Sequence, residues 1–294
     1  RSSGAAARGA GRFNIRNVGL FLWRLEALAQ SRVPLTPHDN LGRKFRFNPL
    51  GADQPLFRRP LAEDRIDHIA EPAQVPAPLT VRAQALALRA AQRAATGVML
   101  QAADYGVDAS FVLLRGGQPV PLNRMAGSQP VPEIFIADLR DIVDTNGVVT
   151  GWAHEAGIGS REIRIDPERG RVLLGASRAT EHAQQPFVGS CHRGFSRRMG
   201  GGEYEREPAG NGLPTTPVIG GAPFQAALTA AAPGGRVLLR DNLVYGFTPV
   251  LQAAAPTAAG GGEVVVAAIN GARPVILAGG AITCDIGPGA RLVI

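Results

Sequence analysis

The residue pair with the most chemical potential is Cys191-His192, preceded by Ser190. A thiolate beside an imidazole is a metal-ligand or nucleophile pattern. No CxxC or HxxxH spacing accompanies it, so a tetrahedral site would need ligands from unrelated places in the chain. The other cysteine, Cys284, lies 93 positions away. Two cysteines make no disulfide framework. The competing reading is a small buried thiol beside a surface imidazole. Ser190, His192 and an aspartate would make a triad by inventory alone. No GxSxG elbow surrounds any serine.

Three further groups carry charge or phosphate chemistry in principle. Arg193, Arg197 and Arg198 are followed at once by Glu203, Glu205 and Glu207, which favours a local salt-bridged patch over a phosphate track. Gly200-Gly201-Gly202 lacks the Lys-Ser/Thr and following helix of a phosphate cradle. Asp241, Glu263 and Asp285 recur every 22 residues near the C-terminus. Paired carboxylates cleave glycosidic bonds when they converge, and acids on the edges of a coil are the simpler account. No catalytic, cofactor-binding or metal-ligating residue is assigned.

The elements that must position these groups are short and turn-rich. Thirty-seven glycines and 23 prolines in 294 residues predict many turns. The 45% apolar content excludes wholesale disorder. No apolar run approaches the roughly 18 residues of a membrane span. The charge of +7 is almost all arginine and is scattered. No zinc-finger, RRM or helix-turn-helix spacing appears, which argues against nucleic acid as a partner.

Residues 1–12 read as a disordered lead-in with no apolar signal core. Asn14 to Leu28 begins with alternation and then becomes helix-like. Arg43 to Phe47 alternates basic and aromatic residues as a strand with one buried face. Pro72, Pro76 and Pro78 keep 71–79 extended, a pattern suited to wrapping a neighbouring surface. Thr80 caps a helix reaching Met99, with Arg82, Arg89 and Arg93 on a solvated face. Phe111–Leu114 with Val120–Leu122, and Arg161–Asp166 with Val172–Leu174, read as hairpins, and Glu133–Leu139 as a strand. Gly147 to Gly159 reads as a loop.

This predicts a mainly β chain with minor α: a mixed α+β attachment domain over 13–200, a Gly/Pro-rich linker over 201–221, and a distinct part over 222–294. That last part opens with a short helix from Pro223 to Ala232. Strands bounded by Gly, Asn or Pro follow at spacings of about 8 to 11 residues. Such spacing suits a coil of stacked rungs, and also a β-sandwich. The capping helix favours the coil. Val237, Leu239, Val264, Val266, Val275, Leu277, Ile282 and Ile286 are its expected interior. Arg1 at the start and a strand-like run at Ile294 predict a piece of a longer chain.

FQAALTAAAPGGRVLLRDNLVY (224–245) resembles the capping helix and first strand of a right-handed parallel β-helix of the pectate-lyase and tailspike kind. INGARPVIL (269–277) resembles a rung of such proteins. IRNVGLFLWRL, FRFNPLGADQPLF, IDHIAEPAQVPAPL, EIFIADL and HRGFSRRMGGGEYERE, dispersed over 13–207, resemble large structural proteins of contractile phage-tail-like injection systems. These occupy baseplate and tail-tip positions. The resemblance implies a structural subunit, made in the cytoplasm and built into an extracellular or cell-associated particle. The attachment domain would bind other particle subunits and the β-helix would project outward. It offers no catalytic residues and implies no cofactor. Phe21, Trp23, Arg24, Phe45, Phe47 and Phe57 are the candidate interface, since aromatic and arginine anchors dominate such surfaces. Some of them must serve the domain's own core. The alternatives are a β-helix polysaccharide lyase or hydrolase, and an adhesin binding cell-surface polysaccharide through Tyr245 and Phe247.

Overall fold

A computed structural model describes residues 25–63, 65, 67, 69–196, 209–248, 250–257 and 261–294. The expected lead-in over 1–12 lies outside them, as do the glycine triplet and Glu203, Glu205 and Glu207.

Beside two two-stranded hairpins, the N-terminal part is built around two larger sheets. One runs in the order Leu25–Pro34, Phe187–Ser196, Phe111–Arg115, Gln118–Pro119, all antiparallel. The other runs Thr36–Pro37, Lys44–Arg46, Arg171–Leu174, Ile163–Asp166, Ile134–Ile136, with only the last pair parallel. Leu113, Ile134, Ile163, Ile165, Val172 and Phe187 are fully buried in their shared core. The hairpins read from alternation at 111–122 and 161–174 are present. Asp166 aids the second turn, its carboxylate accepting the Glu168 and Arg169 N–H groups. Lys44–Arg46 lies inside its sheet, so Lys44 is buried as well as Phe45, and both faces are covered.

The Val81–Ala94 helix starts at Thr80, whose hydroxyl accepts the Ala83 N–H. It buries Gln84 and Leu88 and leaves Arg82, Arg89 and Arg93 exposed, as their spacing requires. A second helix, Ala176–Gln184, has no counterpart in the hydrophobic pattern. Its buried side chain is Arg178. The proline-rich stretch packs along this chain: Arg58 and Leu61 donate to the Ala77 and Ala73 carbonyls, and Leu79 donates to Leu56.

Three expectations are corrected. Leu25 and Leu28 belong to a strand, not a helix. Residues Leu25–Pro34 pair with Phe187–Ser196, and long-range pairing overrides local propensity. The 147–159 loop instead contributes to a hairpin, Asp141–Val143 with Val149–Trp152. Asp144 Oδ1 accepts the Asn146 and Val148 N–H groups and Gly147 takes φ 79°, which closes the turn. The described end of the linker is not a linker. Thr215–Val218 is a strand paired in parallel with Gly235–Leu239.

Residues 209–294 contain three ladders. The first stacks Thr215–Val218, Gly235–Leu239, Glu263–Ala268 and Arg291–Val293 in chain order. The second pairs Val244–Phe247 with Val275–Ala278, and the third Val250–Ala253 with Thr283–Ile286. Every one of these pairings is parallel, which removes the antiparallel sandwich. The Phe224–Ala231 helix buries Phe224, Ala227, Leu228 and Ala231 against the ladders, a helical i, i+3, i+4, i+7 stripe.

Val237, Leu239, Val264 and Val266 are interior as expected. Val275 and Leu277 are not. Tyr245 and Phe247 face the core and pair with Ile276 and Ala278, so those two residues turn inward. A one-residue shift exchanges the faces of a strand. Ile282 and Ile286 are exposed, because no strand packs over Thr283–Ile286 on its open side among the described residues.

Candidate functional site

Of the six expected interface residues, Phe21, Trp23 and Arg24 lie outside the described residues. Phe45, Phe47 and Phe57 are core residues, not interface anchors. Phe47 packs edge-on to Phe111 at 6.4 Å and occupies the space beside Gly189. Phe57 fills the corresponding space beside Gly194. Bare glycines on the Phe187–Ser196 strand admit these rings, a complementarity between residues more than a hundred positions apart.

An exposed aliphatic surface is instead found on the 141–152 hairpin. Ile142, Val143, Val148 and Val149 are 48%, 57%, 58% and 52% exposed. Among the described residues its two strands pair only with each other. An arm of this shape offers aliphatic contacts and two open backbone edges.

Its base is held firmly. Trp152 is 1% exposed. The His38 ring stacks on it at 4.7 Å and 28°, and the Arg171 guanidinium lies 4.7 Å from its centroid. Arg171 is itself buried and bridges Asp53 and Asp141 at 2.5 and 2.7 Å while donating to the Leu139 carbonyl. Burial opposes the Arg171 charge, but hydrogen bonds to Asp53 and Asp141 outweigh it and raise its pKa. Hydrogen bonding to Arg171 in turn lowers the pKa of Asp141. Burial lowers that of His38, assisted by Arg46, so the stacked ring is neutral at pH 7. Asp141 therefore ties the arm to the sheet through a buried guanidinium, a link with no local sequence signal.

A second buried charge centre lies across the domain. The Glu133 carboxylate is met by Arg178, by Arg161 at 2.7 Å and by Arg124 at 3.3 Å. Arg178 also pairs with Glu181. These charges hold the Ala176–Gln184 helix to the sheet.

Cys191 and His192 lie on a long strand and point to opposite sides of it. Cys191 is buried, and burial pushes its thiol up to about 12. It is protonated at neutral pH and is a poor nucleophile. Its Sγ approaches Gln30 Oε1 at 3.9 Å. His192 Nδ1 donates to the Ser110 carbonyl at 2.9 Å rather than to a carboxylate, and burial lowers its pKa. The imidazole is half-buried rather than on the surface. Both residues line a cleft of about 560 Å³ with Gln30, Arg32, Arg59 and Ser190. Among the described residues, no group of three or more His, Cys, Asp or Glu side chains could hold a metal ion.

The three C-terminal acids do not share one role. Asp241 accepts the Gly220 and Leu243 N–H groups and the Tyr245 hydroxyl, fixing a corner. Glu263 pairs with Arg291 at 3.5 Å, and Asp285 accepts from Gln252. Tyr245 and Phe247 are buried against Phe224 and form no external platform, because the helix beneath the ladders needs their rings. No described helix is long and apolar enough to cross a membrane. Comparison with protein-family models, curated proteins and solved structures finds no match to this chain.

Proposed function

We propose that the protein is an assembly subunit without catalytic activity. Its β-rich domain docks on other subunits of a particle of the contractile tail-like kind. A right-handed parallel β-helix extends from that domain. Three parallel ladders visited in turn, with a helix beneath the first strands, support the β-helix reading. The observation that carries the docking role is the arm: four aliphatic side chains held in solvent on a ribbon whose base is locked by Trp152 and Arg171. An arm kept rigid and apolar has the makings of an interface anchor, since ordering a loose one on binding would weaken the contact. The dispersed blocks that resemble tail-associated structural proteins point to the same role.

The test is to replace Ile142 and Val149 together by lysine. Both are exposed and outside the core, so the melting temperature should stay within about 2 °C. Incorporation into the particle, or retention of its partner subunits in a pull-down, should fall at least about tenfold. Full incorporation of the double variant would remove the arm from the interface. Turnover of an acidic polysaccharide by the purified protein, lost in Asp285→Ala, would overturn the non-catalytic reading.

A further inference from the structure

We propose that the cleft beside Cys191 is a binding site for a carboxylate, received by the Gln30 amide and flanked by the Arg32 and Arg59 guanidinium groups. The first observation is Gln30 itself. It is 3% exposed, yet it lines the cleft. Its one side-chain hydrogen bond among the described residues is from the Cys191 thiol, which donates to Oε1. Neither N–H group of Nε2 has a protein acceptor among the described residues, and Nε2 opens on the cleft rather than being sealed in the core. A side chain this buried that turns two free N–H donors into a cleft presents them to whatever occupies it.

The second observation is the backbone that shapes the opening. The Leu25–Pro34 strand bulges between Gln30 and Val33, with Arg32 in the left-handed region at φ 51°. On the facing loop Asp108 is at φ 61°. Both residues border the cleft, and neither is a glycine. Strain of this kind is found at ligand clamps. At Arg32 it lets the backbone N–H reach Ser190 Oγ at 2.9 Å, which keeps the strand folded around the opening.

The chemistry of the walls selects the ligand. Arg32 makes no ion pair among the described residues, while Arg59 donates to the Asp108 carbonyl and lies 3.6 Å from its carboxylate. Cys191 is neutral and His192 is turned toward Ser110. One positive charge is therefore uncompensated, beside an amide that only donates. Val112 and Leu114 contribute an apolar wall. A planar carboxylate on a short aliphatic stem matches this set, because amide and guanidinium N–H groups bind carboxylates in plane. A phosphate would require more cations or a row of backbone N–H groups. The carboxylate belongs either to an acidic side chain of a partner peptide or to a free dicarboxylic acid.

Nitrogen-15 NMR of the labelled protein distinguishes these sources. The probes are glutarate, acetyl-Gly-Glu-Gly amide and neutral glutaramide. The Gln30 side-chain N–H signals should shift saturably with at least one acid, not with glutaramide, and less at high salt. Tighter binding of the peptide assigns the site to a partner's acidic side chain, and tighter binding of glutarate to a free acid. Gln30→Met removes that signal, so it is read from the Arg32 backbone N–H: the saturable shift this signal shows in the wild type should be lost at an unchanged melting temperature. Arg32→Gln changes an exposed residue without altering its backbone class, and should weaken binding several-fold if Gln30→Met does not fold. The proposal fails if neither acid gives a saturable shift, if glutaramide matches glutarate, or if both variants bind normally.

Discussion

Arg171 shows how much one side chain can organise. It is buried, stacks on Trp152 and joins Asp53, in the loop after the Lys44–Arg46 strand, to Asp141 at the root of the arm. Removing one partner of a buried ion pair typically costs about 3–5 kcal/mol. Asp53 and Asp141 are more than a third exposed, so water compensates in part and Asp141→Asn should cost about 1–2 kcal/mol. The pH dependence has a definite sign. Burial acts to raise the Asp53 pKa, and the Arg171 and Arg46 hydrogen bonds more than reverse it, so folding lowers it. Asp141 is lowered too. The unfolded chain thus holds more protons near the ordinary aspartate value of 3.8. The stabilisation is complete above that value and is lost as pH falls through the lower folded values. Denaturant unfolding between pH 2 and 6 should show a shallower acid loss for Asp53→Asn than for the wild type.

At the scale of elements, the Phe187–Ser196 strand depends on what it lacks. A methyl group on Gly189 would lie 2.5 Å from the Phe47 ring, and Phe47 is 1% exposed with nowhere to retreat. Gly189→Ala should destabilise the domain by about 1–3 kcal/mol, read as a lower midpoint in urea with unchanged m-value. Gly117→Ala is the useful contrast. Its site is open but its φ is 80°, so any loss there is backbone strain rather than overpacking. The hairpin arm obeys the opposite logic. Its strands survive with exposed aliphatics because Asp144 and Gly147 close the turn and Trp152 pins the base.

At the scale of the whole molecule, the β-rich domain and the ladders meet at Phe195. The Arg193 and Arg273 guanidinium groups lie 5.6 and 4.7 Å from its ring centroid. Each such contact contributes about 0.5–2 kcal/mol, depending on burial. Phe195→Ala leaves two cations facing each other without the ring. It should uncouple the two parts, and unfolding offers a clean readout. Both tryptophans, Trp23 and Trp152, precede the ladders, so fluorescence reports the N-terminal part alone while circular dichroism reports both. The two transitions should coincide in the wild type and separate in Phe195→Ala. Coincidence in the variant would show that other contacts carry the coupling.

What the amino-acid sequence determined by itself was local. Alternation at Ile163–Asp166 and Arg171–Leu174 specifies a hairpin because neighbouring residues on one face share one core. Thr80 and the alanine-rich run specify a helix, and Phe224–Ala231 followed by Pro233-Gly234 specifies a helix and its stop. Tertiary structure decided the rest. Leu25–Pro34 is a strand only because Phe187–Ser196 lies beside it, and Phe47 and Phe57 became core only because distant glycines make room. The inward turn of Ile276 rather than Val275 follows from pairing with Tyr245. The Gln30 cleft and the Arg171 clamp likewise join residues more than a hundred positions apart. Short-range periodicity records which face a segment buries, but long-range packing selects the partner, and a partner leaves no mark on the segment it covers.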